Sequence, residues 1–178
     1  MIILEIIFGL FLLGIIFWLG SHLYSTIFFV PYINSSDEAI RDALNLAGLK
    51  PGDAFLDLGC GRGDTLIVAA RDFGAKAIGY EISLLPYFMA EIRTRRYSQI
   101  NVYRSNFKKA LPNLKKADIV YLYLLNSVND RIEDWLFKNV KNNTKIVSLA
   151  FEFKKHKPVK TISTTNLERA TKIFLYQK

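Results

Sequence analysis

The chain has 178 residues, about half of them apolar, with 24 Lys and Arg against 16 Asp and Glu and a formal net charge of +8. This is one domain of ordinary size with a short appendage, and it is too apolar to be disordered. The single cysteine, Cys60, rules out an intramolecular disulfide, and one cysteine with two isolated histidines forms no metal-ligand cluster, so no metal is expected.

The charge is segregated along the chain. No Lys or Arg precedes Arg41, and Glu5 is the only acidic residue among the first thirty. Residues 2–20 are almost continuous hydrocarbon and aromatic side chain, reaching roughly 28 Å as a helix at about 1.5 Å per residue, close to the thickness of a bilayer core. Fourteen of those nineteen are Leu, Ile or Phe, each favouring insertion by roughly 0.3 to 0.6 kcal/mol, against at most about 3.5 kcal/mol for Glu5 near one end. A cleaved signal peptide would want a basic start and a small-residue cleavage site, and neither is visible. A core helix this uniformly apolar would need a larger protein around it. Residues 1–30 are therefore expected to be a single-pass membrane anchor. The basic residues on its C-terminal side place residues 31–178, the remaining domain, on the cytoplasmic face. Trp18, Tyr24 and Tyr32 would sit at the interface, and residues 23–30 would run along or just beneath it.

Pro31 and Tyr32 end the apolar segment. Ser35 and Glu38 read as a capping box before a helix to about Ala47, whose apolar stripe is Ala39, Ile40, Ala43, Leu44 and Ala47, with Gly48 as its stop. Residues 50–53 form a turn into the central stretch, AFLDLGCGRGD at 54–64. Phe55, Leu56 and Leu58 mark a buried strand, which breaks into a glycine turn opening a helix to about Phe73, capped by Gly74. Gly59, Gly61 and Gly63 let backbone N–H groups approach a ligand at a helix start, so a nucleotide-like cofactor is expected. The third glycine arrives one residue too early for the dinucleotide fingerprint, with Asp64 in its place. Asp57 and Glu81, the latter ending a strand at 75–81, would repel a polyphosphate. They suit a ligand carrying an ammonium group and a ribose diol, as S-adenosylmethionine does. Cys60 either simply fits inside the glycine turn or carries a reactive thiol.

A helix from near Pro86 ends in Arg93, Arg95 and Arg96. Strands follow at 100–104 and 117–125, a helix at about 130–140, then strands at 144–151, 159–163 and 172–177. Strands alternating with helices imply an α/β doubly wound, Rossmann-like sheet, expected to be parallel, with the ligand beyond the strand C-terminal ends. The glycine turn, with Cys60 and Asp64, and Asp57 are assigned to the methionine end of the cofactor. Glu81, with neighbouring Ile82, is assigned to the ribose, and Asn106 with Phe107 to the adenine. Asn106 has a second reading as the cap of a short helix. No His/Asp pair or carboxylate dyad marks a general base at the fourth strand's exit. Asn126 there can orient the methyl acceptor through its amide oxygen, or be only a turn residue.

DLGCGRGD followed by GYE resembles the first two motifs of the seven-strand S-adenosylmethionine-dependent methyltransferases. The N-terminal apolar segment, Pro31-Tyr32, the helix before KPGDAFLDLGCGRGD and the small domain are similar to one branch, the membrane-anchored protein lysine methyltransferases. Mitochondrial members of that branch modify the ATP synthase c subunit and the adenine nucleotide translocase. The resemblance implies a lysine of a membrane protein as substrate and Asp57, Gly59, Gly61, Gly63 and Glu81 as cofactor residues. The chain departs from the branch at Asn106, where the position is usually acidic, at Asn126, where proline is frequent, and at Phe151-Glu152-Phe153, where Phe-Pro often ends the strand. Two other functions compete: methylation of a lipid or hydrophobic small molecule, and a tethered module that binds cofactor or docks anionic headgroups without catalysis. Basic clusters at 93–104, 108–116 and 154–160 can face such headgroups. No aromatic-interleaved basic motif is present, so nucleic acid is not expected as a partner.

Overall fold

The computed structural model describes the backbone of residues 2–28 and 35–178 and the side chains of residues 4–21 and 35–178. Pro31, Tyr32 and the side chain of Tyr24, expected to anchor the entry into the domain, lie outside the described residues.

Helix α1 (Ile2–Phe28) contains the one window among the described residues that is long and apolar enough to cross a membrane, Leu4–Ser21, with mean hydropathy 2.2 and none of it buried. That exposure removes the core-helix reading. By length and composition the helix fits a span or a signal sequence.

Helix α2 (Asp37–Ala47) buries the expected stripe of Ala39, Ile40, Ala43, Leu44 and Ala47, and Gly48 terminates it in the left-handed region at φ 66°. Its cap is Ser36 rather than Ser35: the Ser36 hydroxyl accepts from Ala39 N at 3.2 Å, while Ser35 Oγ lies 3.4 Å from the Tyr121 hydroxyl. Three further bonds tie this helix start to the other end of the chain. Ser36 N donates to Asn166 Oδ1 at 2.7 Å, Ser36 Oγ to Thr165 O at 3.2 Å, and Thr164 Oγ1 to Asp42 Oδ2 at 2.6 Å.

The remaining elements are β1 (Ala54–Leu58), α3 (Asp64–Phe73), β2 (Lys76–Glu81), α4 (Leu84–Thr94), β3 (Ile100–Arg104), a 3-10 turn (Phe107–Ala110), α5 (Leu111–Leu114), β4 (Ile119–Leu122), α6 (Asn126–Asn139), β5 (Lys145–Leu149), β6 (Lys160–Asn166) and β7 (Arg169–Gln177). The seven strands lie in the order β3-β2-β1-β4-β5-β7-β6. The first five are mutually parallel, but β7 runs antiparallel to both β5 and β6, so the sheet is mixed rather than all parallel. The tight β6–β7 connection explains this: Leu167 and Glu168 both take positive φ, 49° and 65°, as a two-residue hairpin requires. The residues between β5 and β6 form no helix, so there is no crossover to make the last pair parallel.

The last two strands, expected at 159–163 and 172–177, extend toward each other across the hairpin, α6 starts four residues earlier than the expected 130, and β4 and β5 are shorter than expected. Strand β4 ends at Leu122 because Leu125 already accepts from Val128 N and Asn129 N and α6 begins at Asn126. Strand β5 ends at Leu149 because Ala150 takes φ 67°. The apolar strands carry a core on each face. Phe55, Leu66, Ile40 and Tyr121 pack on one side under α2, α3 and α4, and Leu56, Leu58, Ile132 and Leu136 on the other under α5 and α6. Strand β1 is thus central, and the chain leaves it toward β2 on one side and has β4 on the other, the crevice position for a ligand in such sheets.

Candidate active site

A cavity open to solvent lies at the C-terminal end of β1 between β2 and β4, the place where sheets of this kind take their ligands. One half is built by the glycine turn, the end of β2 and the segment after β3, and it contains Asp57, Gly59, Cys60, Gly61, Asp64, Glu81, Ile82, Asn106 and Phe107. Sequence reasoning had assigned all of these to cofactor binding, and the fold brings them together. Gly63 is the exception. It caps α3 at φ 80°, does not line the cavity, and a Cβ there would meet Thr94 Cγ2 at 3.1 Å and Ala90 Cβ at 3.4 Å. It lets α3 and α4 pack closely. Gly59 does face the cavity, at φ 112°, and a Cβ there would lie 3.0 Å from Leu124 Cδ2.

Two buried carboxylates dominate the electrostatics. Asp57 is 2 % exposed and accepts from the Thr65 hydroxyl. Burial pushes its acid up to about 7; the Thr65 bond opposes this, and Glu81 and Asp64 add to it. Glu81 is held by its own turn: Oε2 accepts from Gly61 N at 3.0 Å and Oε1 from Ser83 N at 2.7 Å. Burial raises its acid as well, and those N–H donors oppose the rise. Each oxygen keeps a second lone pair for a hydroxyl donor. Burial and the same two carboxylates push the Cys60 thiol well above its ordinary value, which excludes the reactive-thiolate reading. Asn106 caps the 3-10 turn, its Oδ1 accepting from Lys108 N at 2.9 Å. The capping reading therefore holds, and Asn106 lines the cavity as well.

This half fits a cation with vicinal hydroxyls. A polyphosphate would meet two carboxylates at close quarters, whereas an ammonium or sulfonium group would relieve their mutual repulsion.

The other half is formed by Ser35, Tyr121, Tyr123 and Leu124, none of which sequence reasoning had assigned to the site, Ser35 having been read as a helix cap. The Tyr123 hydroxyl accepts from Asn166 Nδ2 at 3.1 Å, and the ring lies 6.0 Å from that of Phe151. Asn166 in turn holds Ser36 N, so one wall of the cavity is set by α2, β4 and β6 together. The signal was the Y-L-Y alternation at 121–123, which puts both tyrosines on the Asp57 side of the sheet, Tyr121 opposite Asp57 in register. Asn126 is exposed in the first turn of α6 and does not line the cavity. Sequence reasoning took residues 117–125 as one strand and so put the strand exit three residues too late.

The loop after β5 is fixed from behind. Glu133, whose side chain is 1 % exposed, accepts from the backbone N–H of Lys154, Lys155 and His156 and pairs with His156 Nδ1 at 2.8 Å, while the His156 ring stacks on Phe137 at 3.6 Å. Phe151, beside the Tyr123 ring, is held separately, its carbonyl oxygen accepting from Ser148 Oγ and from Asn129 Nδ2 at 3.3 Å.

Comparison with known proteins agrees with this geometry. Residues 57–160 match the family model described as ANTKMT methyltransferase domain. A protein-lysine N-methyltransferase of Saccharolobus islandicus is 30% identical over 151 residues, covering 83% of this chain and 92% of that protein. Among solved structures, an RNA methyltransferase from Salinibacter ruber in complex with S-adenosyl-L-homocysteine superposes with a TM-score of 0.74 at 27% identity, covering 82% of this chain and 93% of that one. A Geobacter sulfurreducens methyltransferase, also with S-adenosyl-L-homocysteine, shares the fold at a TM-score of 0.54 and 19% identity, over 67% of this chain and 51% of that one. A cavity that selects for a cation and a diol, at the switch point of this sheet and in the stretch where the family model begins, leads to one assignment: the chain belongs to the ANTKMT methyltransferase domain family and is an S-adenosylmethionine-dependent methyltransferase.

Proposed function

We propose that this enzyme methylates lysine side chains of a membrane protein, with α1 as a single-pass anchor (residues 1–30) and residues 31–178 as a catalytic domain on the cytoplasmic side. The observation that carries the lysine reading is the Saccharolobus islandicus relative, which bears that activity in its name and aligns over 92% of its length. The membrane reading is supported by the exposed apolar window of α1.

When bound, S-adenosylmethionine supplies an electrophilic methyl group on a sulfonium. Asp57, with Cys60 and Asp64 beside it, would hold the amino-acid end; the N–H groups of Gly59 and Cys60 donate to Tyr80 O, that of Gly61 to Glu81 Oε2 and that of Gly63 to Cys60 O, so the turn serves by letting the ligand come close rather than by donating to it. Glu81, next to Ile82, would accept from the ribose hydroxyls, and Asn106 and Phe107 would take the edge and face of the adenine. The acceptor enters past Tyr121, Tyr123 and Leu124. A lysine amine with a pKa near 10.4 must be neutral to attack, which at pH 7 costs about 4.6 kcal/mol, from 3.4 units at 1.36 each. Aromatic walls that exclude water reduce that cost by disfavouring the ammonium form. The Tyr123 hydroxyl, fixed by Asn166, can accept an N–H of the amine and so aim its lone pair. Asn126, exposed and outside the cavity, is reassigned to the first turn of α6.

The Salinibacter ruber neighbour, named as an RNA methyltransferase at 27% identity, favours a second reading in which the acceptor is RNA. One experiment separates these. The purified full-length protein is incubated with methyl-labelled cofactor and, separately, membrane proteins, extracted lipids and RNA. Label recovered as methyl-lysine after protein hydrolysis supports the proposal. Label in a nucleoside or in the organic phase refutes it.

A further inference from the structure

Helix α4 has two apolar faces. Ala90 and Thr94 are buried against the domain, but Leu85, Phe88, Met89 and Ile92 are exposed at 40%, 52%, 37% and 63%. Their spacing of i, i+3, i+4 and i+7 draws them into one stripe on the outer surface. Arg95 and Arg96, three and four residues past Ile92, continue the same stripe, because Arg95 keeps a right-handed helical conformation. Ile92 also borders a groove lined by Arg71, Arg93, Arg95 and Arg96. Asp37 and Asp64 line the groove as well, but they pair with Arg71 at 3.5 Å and Arg93 at 2.6 Å. Arg71 also pairs with Asp72 at 2.5 Å, so the groove's excess positive charge lies on Arg95 and Arg96. Helix α1 contacts α4.

We propose that α4 is a second membrane contact, lying in the plane of the bilayer surface with Leu85, Phe88, Met89 and Ile92 among the upper acyl chains and the arginine groove on anionic lipid headgroups. This rests on the reading of α1 as an anchor. An exposed apolar stripe ending in arginines has the composition of an interfacial helix, which seats its apolar face about 5–10 Å into the headgroup boundary, and each nearby basic residue adds attraction to an anionic leaflet. Soluble domains seldom leave such a stripe uncovered. Because α4 directly follows Glu81, Ile82 and Ser83, the docked helix would hold the cofactor cavity at the membrane surface and limit the acceptors to side chains at that depth.

The test uses the full chain in lipid nanodiscs carrying a nitroxide at Phe88→Cys, with labels at Leu12→Cys and at exposed Lys157→Cys as references. Cys60 is buried and stays unlabelled. Accessibility to oxygen and to a water-soluble nickel chelate is read by electron paramagnetic resonance. In discs containing phosphatidylglycerol, the Phe88 label should be several-fold less open to nickel than the Lys157 label. That protection should be lost in pure phosphatidylcholine discs and in the Arg95→Gln/Arg96→Gln variant. A Leu12 label in hydrocarbon with a Phe88 label open to nickel overturns the α4 proposal and leaves the anchor standing. A Leu12 label open to nickel overturns the anchor reading and the proposal with it. Protection equal in neutral and anionic discs, or accompanied by dipolar broadening between copies, also overturns the proposal, the last pointing to a self-association surface.

Discussion

Asp57 offers the sharpest test of the cavity. With its acid pushed up to about 7, roughly nine-tenths of the molecules carry the carboxylate at pH 8 and one-tenth at pH 6. A cationic ligand that needs that carboxylate should bind about tenfold more weakly at pH 6 than at pH 8, a change of about 1.4 kcal/mol, with close to one proton released per binding event at pH 6. Titration calorimetry with S-adenosylhomocysteine, which retains the ammonium group, measures both quantities when run in buffers of different ionisation heat. Asp57→Asn keeps the Thr65 hydrogen bond but removes the charge, so its affinity should be weaker at pH 8 and nearly flat between pH 6 and 8. The sign for stability is opposite. A folded-state acid raised from 3.8 to about 7 makes the charged form a cost that is fully present above pH 7 and is relieved as the pH falls toward 3.8. That cost is about 4 kcal/mol, from 3.2 units at 1.36 each, so the ligand-free Asn variant should melt higher than the parent at pH 8, and the gain should shrink on acidification. A wild-type affinity that does not change between pH 6 and pH 8, or a variant that melts lower at pH 8, would refute this account of Asp57.

Glu81→Ala removes the acceptor for two backbone N–H groups and for the ribose; losing about 3 kcal/mol should weaken S-adenosylhomocysteine roughly a hundredfold by calorimetry. Gly63→Ala forces a side chain into the left-handed region against Thr94 and Ala90, so the melting temperature should fall by the equivalent of about 1–3 kcal/mol while the affinity of the folded protein for cofactor is retained. Gly59→Ala, by contrast, should lose affinity. Tyr123→Phe should lower kcat about tenfold with the cofactor dissociation constant unchanged; an effect on cofactor binding alone would place Tyr123 in the wrong half of the cavity. Glu133→Ala leaves three loop N–H groups without their acceptor and should cost about 3 kcal/mol in chemical denaturation.

The cofactor half was legible because it is local. AFLDLGCGRGD and the end of β2 are short stretches in which strand, turn and ligand contact are consecutive, and in a parallel sheet both must end on the same edge. The acceptor half was not, since it joins Ser35, Tyr123, Phe151 and Asn166, residues from four separate parts of the chain. Nothing in YLYLLN distinguishes a strand that ends at Leu122 from one that runs to Leu125, because buried strand and helix entry are equally apolar. Gly63 shows a related limit: its packing against Thr94 and Ala90 could not be read from sequence, because a glycine needed for helix packing and one needed for ligand approach look alike until the partner is seen. The outer stripe of α4 passed unnoticed because LLPYFMAEI is apolar on both faces, and periodicity alone could not say that only one of them meets the core.

The bonds from Ser36 and Asp42 to Thr164, Thr165 and Asn166 have a bearing on biosynthesis. The segment that emerges from the ribosome just behind α1 cannot acquire its partners until the β6–β7 hairpin has been translated and is free of the exit tunnel. The glycine turn is thus made well before the clasp on α2 can close, and a nascent chain interrupted short of β6 would retain that turn but lack the clasp for α2 and the amide that positions Tyr123.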